Sequence, residues 1–246
     1  MSDAMDDSGF PVKLIERRLI AEGTMAFHFA KPSQFVFTPG QFVDLTLLQP
    51  SETDAAGNSR AFSIASAPHE DTIMVATRLR DTAFKRELQR MPIGSTVRME
   101  GPFGKLVLHS DQTRPAVLVA GGIGITPFRS MVVHAAQQQS PQRLVLFYSN
   151  RRPEDAAFLD ELQSLQDKNR HYSFVGTMTE PEKSLHAWRG ETGYLNAGLL
   201  SKYLAEIDKP MYYVVGPPGM VTALRTILKD AHVEDTDIRI EKFAGY

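Results

Sequence analysis

The 246-residue chain contains no cysteine. That absence excludes disulfides, thiol nucleophiles and cysteine-held iron–sulfur clusters within these residues. The seven histidines are scattered, and none pairs with another at the HxxxH or HExxH spacing of a metal site. No apolar run approaches the ~20 residues that a membrane-spanning helix needs. We therefore expect no metal site and no membrane span.

The chain also has no excess of charge of either sign. Its 27 lysines and arginines and 29 aspartates and glutamates leave a formal net charge of −2. Without a global basic field, neither a nucleic acid nor an anionic membrane surface is attracted over long range. The acidic start, Met1 to Asp7, lacks the apolar region of a secretory signal. We expect a cytoplasmic protein without a nucleic-acid partner.

The first half of the chain has the pattern of short strands separated by turns. Six apolar, partly alternating runs indicate strands: Val12–Ile15, Met25–Phe29, Phe42–Leu47, Phe62–Ala65, Ile73–Thr77 and Val97–Met99. One helix is predicted from Thr82 to Met91, because its apolar residues share a face and Pro92 follows. This half is predicted to form a six-stranded antiparallel barrel.

From about Pro115 the pattern changes to strands alternating with helices. Five runs indicate strands: Ala116–Ala120, Leu144–Tyr148, Tyr172–Val175, Tyr212–Val215 and Ile238–Phe243. Four intervening helices are predicted: Pro127–Gln138, Pro153–Leu165, Asn196–Ala205 and Met220–Ala231. This half is predicted to be a doubly wound five-stranded parallel sheet. A polar stretch near Ser110 places the domains at 10–110 and 111–246.

A glycine-rich turn, Gly121-Gly122-Ile123-Gly124, follows the first strand of the second half. Thr126 is predicted to be the helix N-cap and Pro127 the first helical residue. Glycines allow the backbone to approach a pyrophosphate, and a helix N-terminus favours an anion. The turn therefore suits a dinucleotide, although an ordinary strand-to-helix turn has the same composition.

Two other strand ends in this half carry similar features. Val215-Gly216-Pro217-Pro218-Gly219-Met220 follows a strand and opens a helix, and Ser149-Asn150-Arg151-Arg152 follows another strand. Ligands of a doubly wound sheet bind at the carboxyl ends of its strands. The paired arginines are suited to a 2′-phosphate, the alternative being a solvated basic turn.

Together these motifs resemble those of the ferredoxin–NADP reductase superfamily, in the same order along nearly the whole chain. Arg60-Ala61-Phe62-Ser63 resembles its Arg-x-Tyr-Ser flavin motif. The other matching segments are Pro39-Gly40-Gln41-Phe42, Gly101-Pro102-Phe103-Gly104, Gly121 to Pro127, Val215 to Met220, and Glu241-Lys242-Phe243.

The resemblance implies roles for individual residues. On the flavin side it implies that Arg60 pairs with the FAD pyrophosphate, Phe62 packs on the flavin ring and Ser63 lies near flavin N5. The other implied flavin contacts are Ala61, Thr77, Arg78, Thr82, Ala83 and Phe84. The implied contacts of NAD or NADP are Gly122, Ile123, Gly124, Thr126, Ser149, Asn150, Arg151, Gly216, Pro217 and Met220. Ser63, Thr126 and Glu241 are the implied catalytic residues, with Glu241 at the junction of the two rings.

The sequence departs from the family pattern at two positions. Phe62 replaces a tyrosine, which keeps the ring but loses the hydroxyl, and Val215 replaces a cysteine. The terminal Tyr246 is placed to cover the flavin, as in plant-type members, or to be a frayed end.

The implied activity is hydride transfer from NAD(P)H to bound FAD, followed by electron transfer to a separate protein such as ferredoxin or flavodoxin. Alternatives are the reductase component of an oxygenase, a reductase of free flavin or ferric ligands, and a flavin-binding redox sensor without turnover. The choice between NADH and NADPH, and between FAD and FMN, stays open.

Overall fold

The computed structural model describes residues 9–243. Its strands are β1 Phe10–Ala21, β2 Thr24–Ala30, β3 Phe42–Leu47, β4 Ser59–Ser63, β5 Thr72–Arg78, β6 Thr96–Phe103, β7 Ala116–Gly121, β8 Leu144–Asn150, β9 Tyr172–Met178, β10 Glu191–Thr192, β11 Met211–Gly216 and β12 Ile238–Lys242. Its α-helices are α1 Ala83–Arg90, α2 Thr126–Gln137, α3 Leu159–Lys168, α4 Ala197–Leu204 and α5 Pro218–Asp230.

The first six strands form an antiparallel sheet in the order β4-β3-β6-β1-β2-β5. The two edges approach each other, because the Ala65 amide just beyond β4 donates to the Met74 carbonyl on β5 at 2.7 Å. Alternate residues such as Val12 and Leu14 point into the closed interior and are buried. The predicted six-stranded barrel is confirmed.

Helix α1 lies against one end of this barrel. Thr82 is its N-cap, since the hydroxyl oxygen accepts the Lys85 amide, and Phe84 and Leu88 are buried in the barrel core. The capping residue and the apolar spacing were both visible in the sequence, and the helix lies where they predict it.

The remaining strands form a parallel sheet in the order β10-β9-β8-β7-β11-β12. Apolar clusters cover both faces of this sheet, one including α2 and α3 and the other α4 and α5. The sheet has six strands rather than the predicted five, because the two-residue strand β10 pairs with β9. Two residues are too few to show a periodicity. No helix in residues 9–243 has the length and apolarity to cross a membrane.

Two local predictions are wrong. Thr126 is not an N-cap: a 3₁₀ turn, Gly122–Ile125, leads directly into α2, and Thr126 already has helical dihedrals of −56° and −51°. The preceding turn occupies the place of a cap.

The helix predicted from Pro153 is interrupted, because Phe158 adopts a left-handed conformation (φ 61°) and α3 begins only after it.

Segment 104–115 connects the two sheets. The predicted boundary between residues 110 and 111 falls in it and stays a prediction. Contact between the halves is close at Gly40 (φ 100°), where an added Cβ would lie 2.0 Å from the Leu106 carbonyl and 2.4 Å from the Met131 side chain.

Candidate active site

A cleft of about 440 Å³ lies where the barrel meets the carboxyl edge of the parallel sheet. Its walls come from β4, β5 and α1 on one side and from the turn before α2 and the end of β12 on the other. It brings together eleven of the predicted site residues: Arg60, Ala61, Phe62, Ser63, Thr77, Arg78, Thr82, Phe84, Ile123, Thr126 and Glu241. Residues that are far apart in sequence and come from both halves therefore share one site.

The β4 wall is organised around Phe84. The Phe62 and Phe84 ring centroids are 5.8 Å apart, and the Arg60 guanidinium carbon lies 5.1 Å from the Phe84 centroid. Arg60 and Phe62 therefore share a side of the strand, as its alternation predicts. Arg60 also pairs with Asp54 at 2.9 Å and donates to carbonyls of its own turn. Its charge is thus held at the cleft wall.

The cleft has two further cations, Arg80 and Lys85, which no motif in the sequence indicated. Neither forms an ion pair with a carboxylate among residues 9–243. Burial, with help from the charges of Arg80 and Arg60, lowers the pKa of the Lys85 ammonium to about 8. With Arg60, Arg78 and Lys242, five cations line a cleft whose carboxylate is Glu241, so its surface suits an anion.

Glu241 lies on β12 beside Val215 of β11. Its side chain reaches the cleft rather than bulk water, and burial raises the pKa of its carboxyl. Ser63 and Thr126 line the same cleft and are 8% and 1% exposed. The Thr126 hydroxyl donates to the Ile123 carbonyl at 3.1 Å, which fixes its orientation. The three predicted catalytic residues thus meet at one site.

A second cleft, of about 780 Å³, lies at the carboxyl ends of β7, β8 and β11. The predicted residues on it are Gly122, Ser149, Asn150, Arg151, Pro217 and Met220. Arg78 and Arg80 line both clefts, so the two adjoin. The Asn150 amide nitrogen and oxygen are buried without a hydrogen-bond partner within residues 9–243, which is uncommon for polar groups.

The structure separates Arg151 from Arg152. Arg151 is exposed and lines the second cleft. Arg152 binds Asp155 at 2.9 Å, Glu22 at 3.0 Å and Glu154 at 3.4 Å, and these interactions raise the pKa of its guanidinium. The ion pairs of Arg152 favour Arg151 as the arginine available to a phosphate, and the phosphate site itself stays a prediction.

Three predicted site residues lie behind the cleft walls: Ala83, Gly124 and Gly216. The two glycines let the turns after β7 and β11 pack together. A Cβ on Gly124 would lie 2.5 Å from the Val215 carbonyl oxygen, and one on Gly216 (φ 158°) would lie 3.0 Å from the Gly121 nitrogen. Close packing of backbone on backbone requires glycine at both.

Several cleft residues were not anticipated from the sequence. Besides Arg80 and Lys85 they include Thr179, Glu180 and Tyr194 on the second cleft. Lys85 could have been found, since it lies in the first turn of a helix whose cap was recognised. Tyr246 lies outside the described residues. No cluster of metal-binding side chains occurs within residues 9–243.

Known proteins resemble this chain over both of its halves. The oxidoreductase NAD-binding domain family matches residues 118–226. The toluate 1,2-dioxygenase electron transfer component of Pseudomonas putida is 26% identical over 97% of this chain and 68% of that protein. The anthranilate 1,2-dioxygenase electron transfer component of Acinetobacter baylyi is 28% identical over 92% of this chain and 64% of its own length. A component of the Na(+)-translocating NADH-quinone reductase of Idiomarina loihiensis is 28% identical over 74% of this chain but only 44% of its own length.

Among solved structures, a ferredoxin NADP+ reductase from Neisseria gonorrhoeae with bound FAD and NADP has a TM-score of 0.77 and 22% identity, covering 96% of this chain and 98% of that one. The chain therefore has the fold of this reductase over nearly its whole length, and within it residues 118–226 match the oxidoreductase NAD-binding domain family. The resemblance inferred from the motifs is thereby confirmed, as is the class of enzyme, an oxidoreductase with an NAD-binding domain. The chain spans between 44% and 68% of the length of the three curated relatives named above.

Proposed function

We propose that the chain is an FAD-dependent NAD(P)H oxidoreductase that passes electrons to a separate redox protein. The observation that carries this proposal is the adjoining pair of clefts with Arg78 and Arg80 in both walls. Hydride transfer needs two rings near van der Waals contact, and two clefts that share a wall provide for that. The flavin, when bound, accepts two electrons as a hydride and releases them one at a time.

The residues of the first cleft fit a phosphate-bearing flavin. Arg60, Arg80 and Lys85 surround the α1 N-terminus and would bind the pyrophosphate by charge-assisted hydrogen bonds. Phe62 and Phe84 form an apolar surface suited to the ring system. A diphosphate matches several cations better than a single phosphate does, which favours FAD over FMN.

The second cleft fits a nicotinamide dinucleotide. The 3₁₀ turn after β7 and the turn after β11 provide backbone on either side of a pyrophosphate. Asn150 would gain hydrogen-bond partners from the nucleotide, and Arg151 is available to a phosphate on the ribose. Both residues lie on one strand end, so we place the adenosine half there.

We assign roles to Ser63, Thr126 and Glu241 in the first cleft, which all three line. Ser63 would hydrogen-bond the hydride-accepting edge of the flavin, and Thr126 would orient the nicotinamide. Glu241 is half-buried, so its negative charge, when present, is weakly screened and stabilises positive charge that develops on the nicotinamide.

For the electron acceptor we favour an oxygenase component. Two curated relatives are the electron transfer components of toluate and anthranilate 1,2-dioxygenases. These 246 residues contain no cysteine, so any cysteine-held iron–sulfur cluster must come from outside them. Ferredoxin and flavodoxin remain alternatives, and reoxidation kinetics with each candidate distinguish them.

The test is spectroscopic. Purified protein reconstituted with FAD is expected to be yellow, to bleach anaerobically on addition of NADH or NADPH, and to be reoxidised by its acceptor protein. Stopped-flow reoxidation by an oxygenase component, a ferredoxin and a flavodoxin identifies the acceptor. Protein that stays colourless after reconstitution would refute the proposal. If the protein bound FAD but neither NADH nor NADPH reduced it, the chain would be a flavin-binding module without turnover.

A further inference from the structure

Arg129 of α2 lies between the two halves and is 4% exposed. All five of its N–H donors are used. Nε and Nη2 donate to Glu161 at 2.8 and 2.6 Å, Nη1 and Nη2 donate to Glu70 at 2.9 and 3.1 Å, and Nη1 also donates to the Ala65 carbonyl at 2.8 Å. Its guanidinium carbon lies 5.0 Å from the Phe158 centroid. The side chain is therefore held in a single position from several directions.

These partners come from different parts of the fold. Ala65 and Glu70 belong to the segment that joins β4 and β5 of the barrel, whereas Glu161 lies on α3. The neighbouring Ser130 hydroxyl donates to the Ser66 carbonyl at 2.6 Å, which adds a second bond between the same segments. Burial opposes ionisation of the Glu70 carboxyl, but its bonds to Arg129 outweigh this and lower its pKa, so it is a carboxylate at neutral pH.

The linked segments lead directly to the cleft. Ala65 is two residues after Ser63, and the Ala65 and Ile64 amides are bonded to Met74 and Gln41, so this part of the barrel is fixed. Thr126 is three residues before Arg129, which is one turn of α2. Ser63 and Thr126 are therefore connected through the Arg129 guanidinium by only a few residues, and hydrogen bonds hold these residues in place.

We propose that Arg129 is a positioning residue that sets the separation of Ser63 and Thr126, and with it the distance between the two rings that the adjoining clefts hold. Its kinetic consequence rests on the proposed function, whereas its structural consequence does not. A planar guanidinium that binds the Glu70 carboxylate in bidentate fashion and also donates to the Ala65 carbonyl defines the distance and orientation of the barrel segment together, which a lysine in its place does not.

Two isosteric substitutions separate positioning from general stability. Replacing Arg129 itself leaves two carboxylates and a carbonyl unpaired, so that variant can fail to fold. Glu70→Gln removes the carboxylate of the barrel, and Glu161→Gln removes the one on α3. The two side chains are similarly exposed, at 29% and 37%, and both pair with Arg129. Of these two carboxylates, Glu70 is the one that links the halves.

The absence of native cysteines makes a distance measurement direct. Gln89→Cys on α1 and Ser201→Cys on α4 introduce two exposed positions for spin labels, one in each half. Double electron–electron resonance on protein without flavin or nucleotide should show a broader or shifted distance distribution for Glu70→Gln and an unchanged one for Glu161→Gln. An unchanged distribution for Glu70→Gln, or equal changes in both, would overturn the proposal.

A second measurement uses the FAD-loaded protein. At saturating NADH, Glu70→Gln should lower the limiting rate of flavin reduction by roughly tenfold to a hundredfold, since a displacement of about 1 Å can cost that much. FAD affinity should be unchanged, and Glu161→Gln should reduce flavin at the wild-type rate. Equal rate losses in the two variants would contradict positioning. Protein that binds no FAD would refute the proposed function, while the spin-label distances would still decide the role of Arg129.

Discussion

Lys85 and Arg86 are neighbours in the sequence, yet their side chains meet opposite electrostatic surroundings. Hydrogen bonds to Glu52 and Asp81 raise the pKa of the Arg86 guanidinium. Lys85 points into the first cleft, where burial and two guanidinium groups lower its pKa to about 8. A cation held without a counter-charge gains most from an incoming phosphate, so we assign anion binding to Lys85 and a structural role to Arg86.

Lys85→Met is expected to weaken FAD binding by about tenfold, the loss of one charge-assisted hydrogen bond of ~1.5 kcal/mol. In the native protein FAD affinity should also fall as the pH rises through about 8, because the ammonium loses its proton there. Titration of flavin fluorescence at neutral and alkaline pH measures both effects. Lys13→Met, at an exposed position of β1, is the matched control. An affinity that is equal in Lys85→Met and Lys13→Met would contradict this role.

Arg151 and Arg152 provide a second matched pair. Arg151→Gln should raise KM for NADPH by roughly tenfold and KM for NADH much less, since only NADPH has the 2′-phosphate. Arg152→Gln should leave the ratio of the two KM values unchanged, because its charge is already paired with Asp155 and Glu22. Steady-state kinetics with both coenzymes checks this. If Arg151→Gln changed KM equally for NADPH and NADH, Arg151 would not bind the 2′-phosphate.

At the scale of elements, the turns after β7 and β11 act as one unit. Gly121 packs on Met220 of α5, and Gly124 packs on the backbone of Val215. Each turn opens a helix, so the contact fixes the starts of α2 and α5 relative to each other. The glycines of this motif therefore hold two turns together in addition to leaving room for a ligand.

Gly124→Ala should lower the free energy of unfolding by about 1–3 kcal/mol, because its methyl group would lie 2.5 Å from a backbone oxygen that cannot move freely. Gly219→Ala, within α5, has no heavy atom within 4 Å of the added Cβ and should be stabilised by up to ~1 kcal/mol. Urea unfolding of both variants makes the comparison. If Gly124→Ala had the same free energy of unfolding as the native protein, the two turns would be able to move apart without loss of stability.

At the scale of the whole molecule, burial affects three histidines in different places. Burial is the main cause that lowers the pKa of His28, His109 and His134 below the ordinary value, and His69 contributes at His134. A lowered pKa means that the folded protein takes up protons less readily than the unfolded chain. The stability associated with these groups is complete above about pH 6.5 and is lost as the pH falls through the lowered values.

The urea midpoint should therefore fall between about pH 7.5 and about pH 5.5, without a change of slope. His134→Gln should lose less stability over the same interval, because one of the three groups no longer titrates. His232→Gln is the control, at an exposed histidine. If His134→Gln and the native protein lost stability equally, His134 would have no part in the pH dependence.

The sequence by itself determined the two architectures and the resemblance to a family of reductases. Alternating short runs specify the barrel strands, continuous apolar runs specify the buried parallel ones, and Thr82 and the glycine turns mark where elements begin. Such signals are local, because each depends on neighbouring residues and on the period of one element. The two-residue strand β10 and the 3₁₀ turn before α2 were not predicted, because these elements are too short to show a period.

Only the tertiary structure decided which charged residues are available to a ligand. Arg129 finds its partners 59 and 32 positions away, Arg152 is neutralised by Glu22 from 130 positions away, and the charge of Arg60 acts on Lys85, which lines the same cleft. Burial and charge pairing depend on distances in space, which a single sequence does not encode locally. The sequence therefore specified the kinds of element and the motifs, and the packing of one half against the other specified the electrostatics of the site.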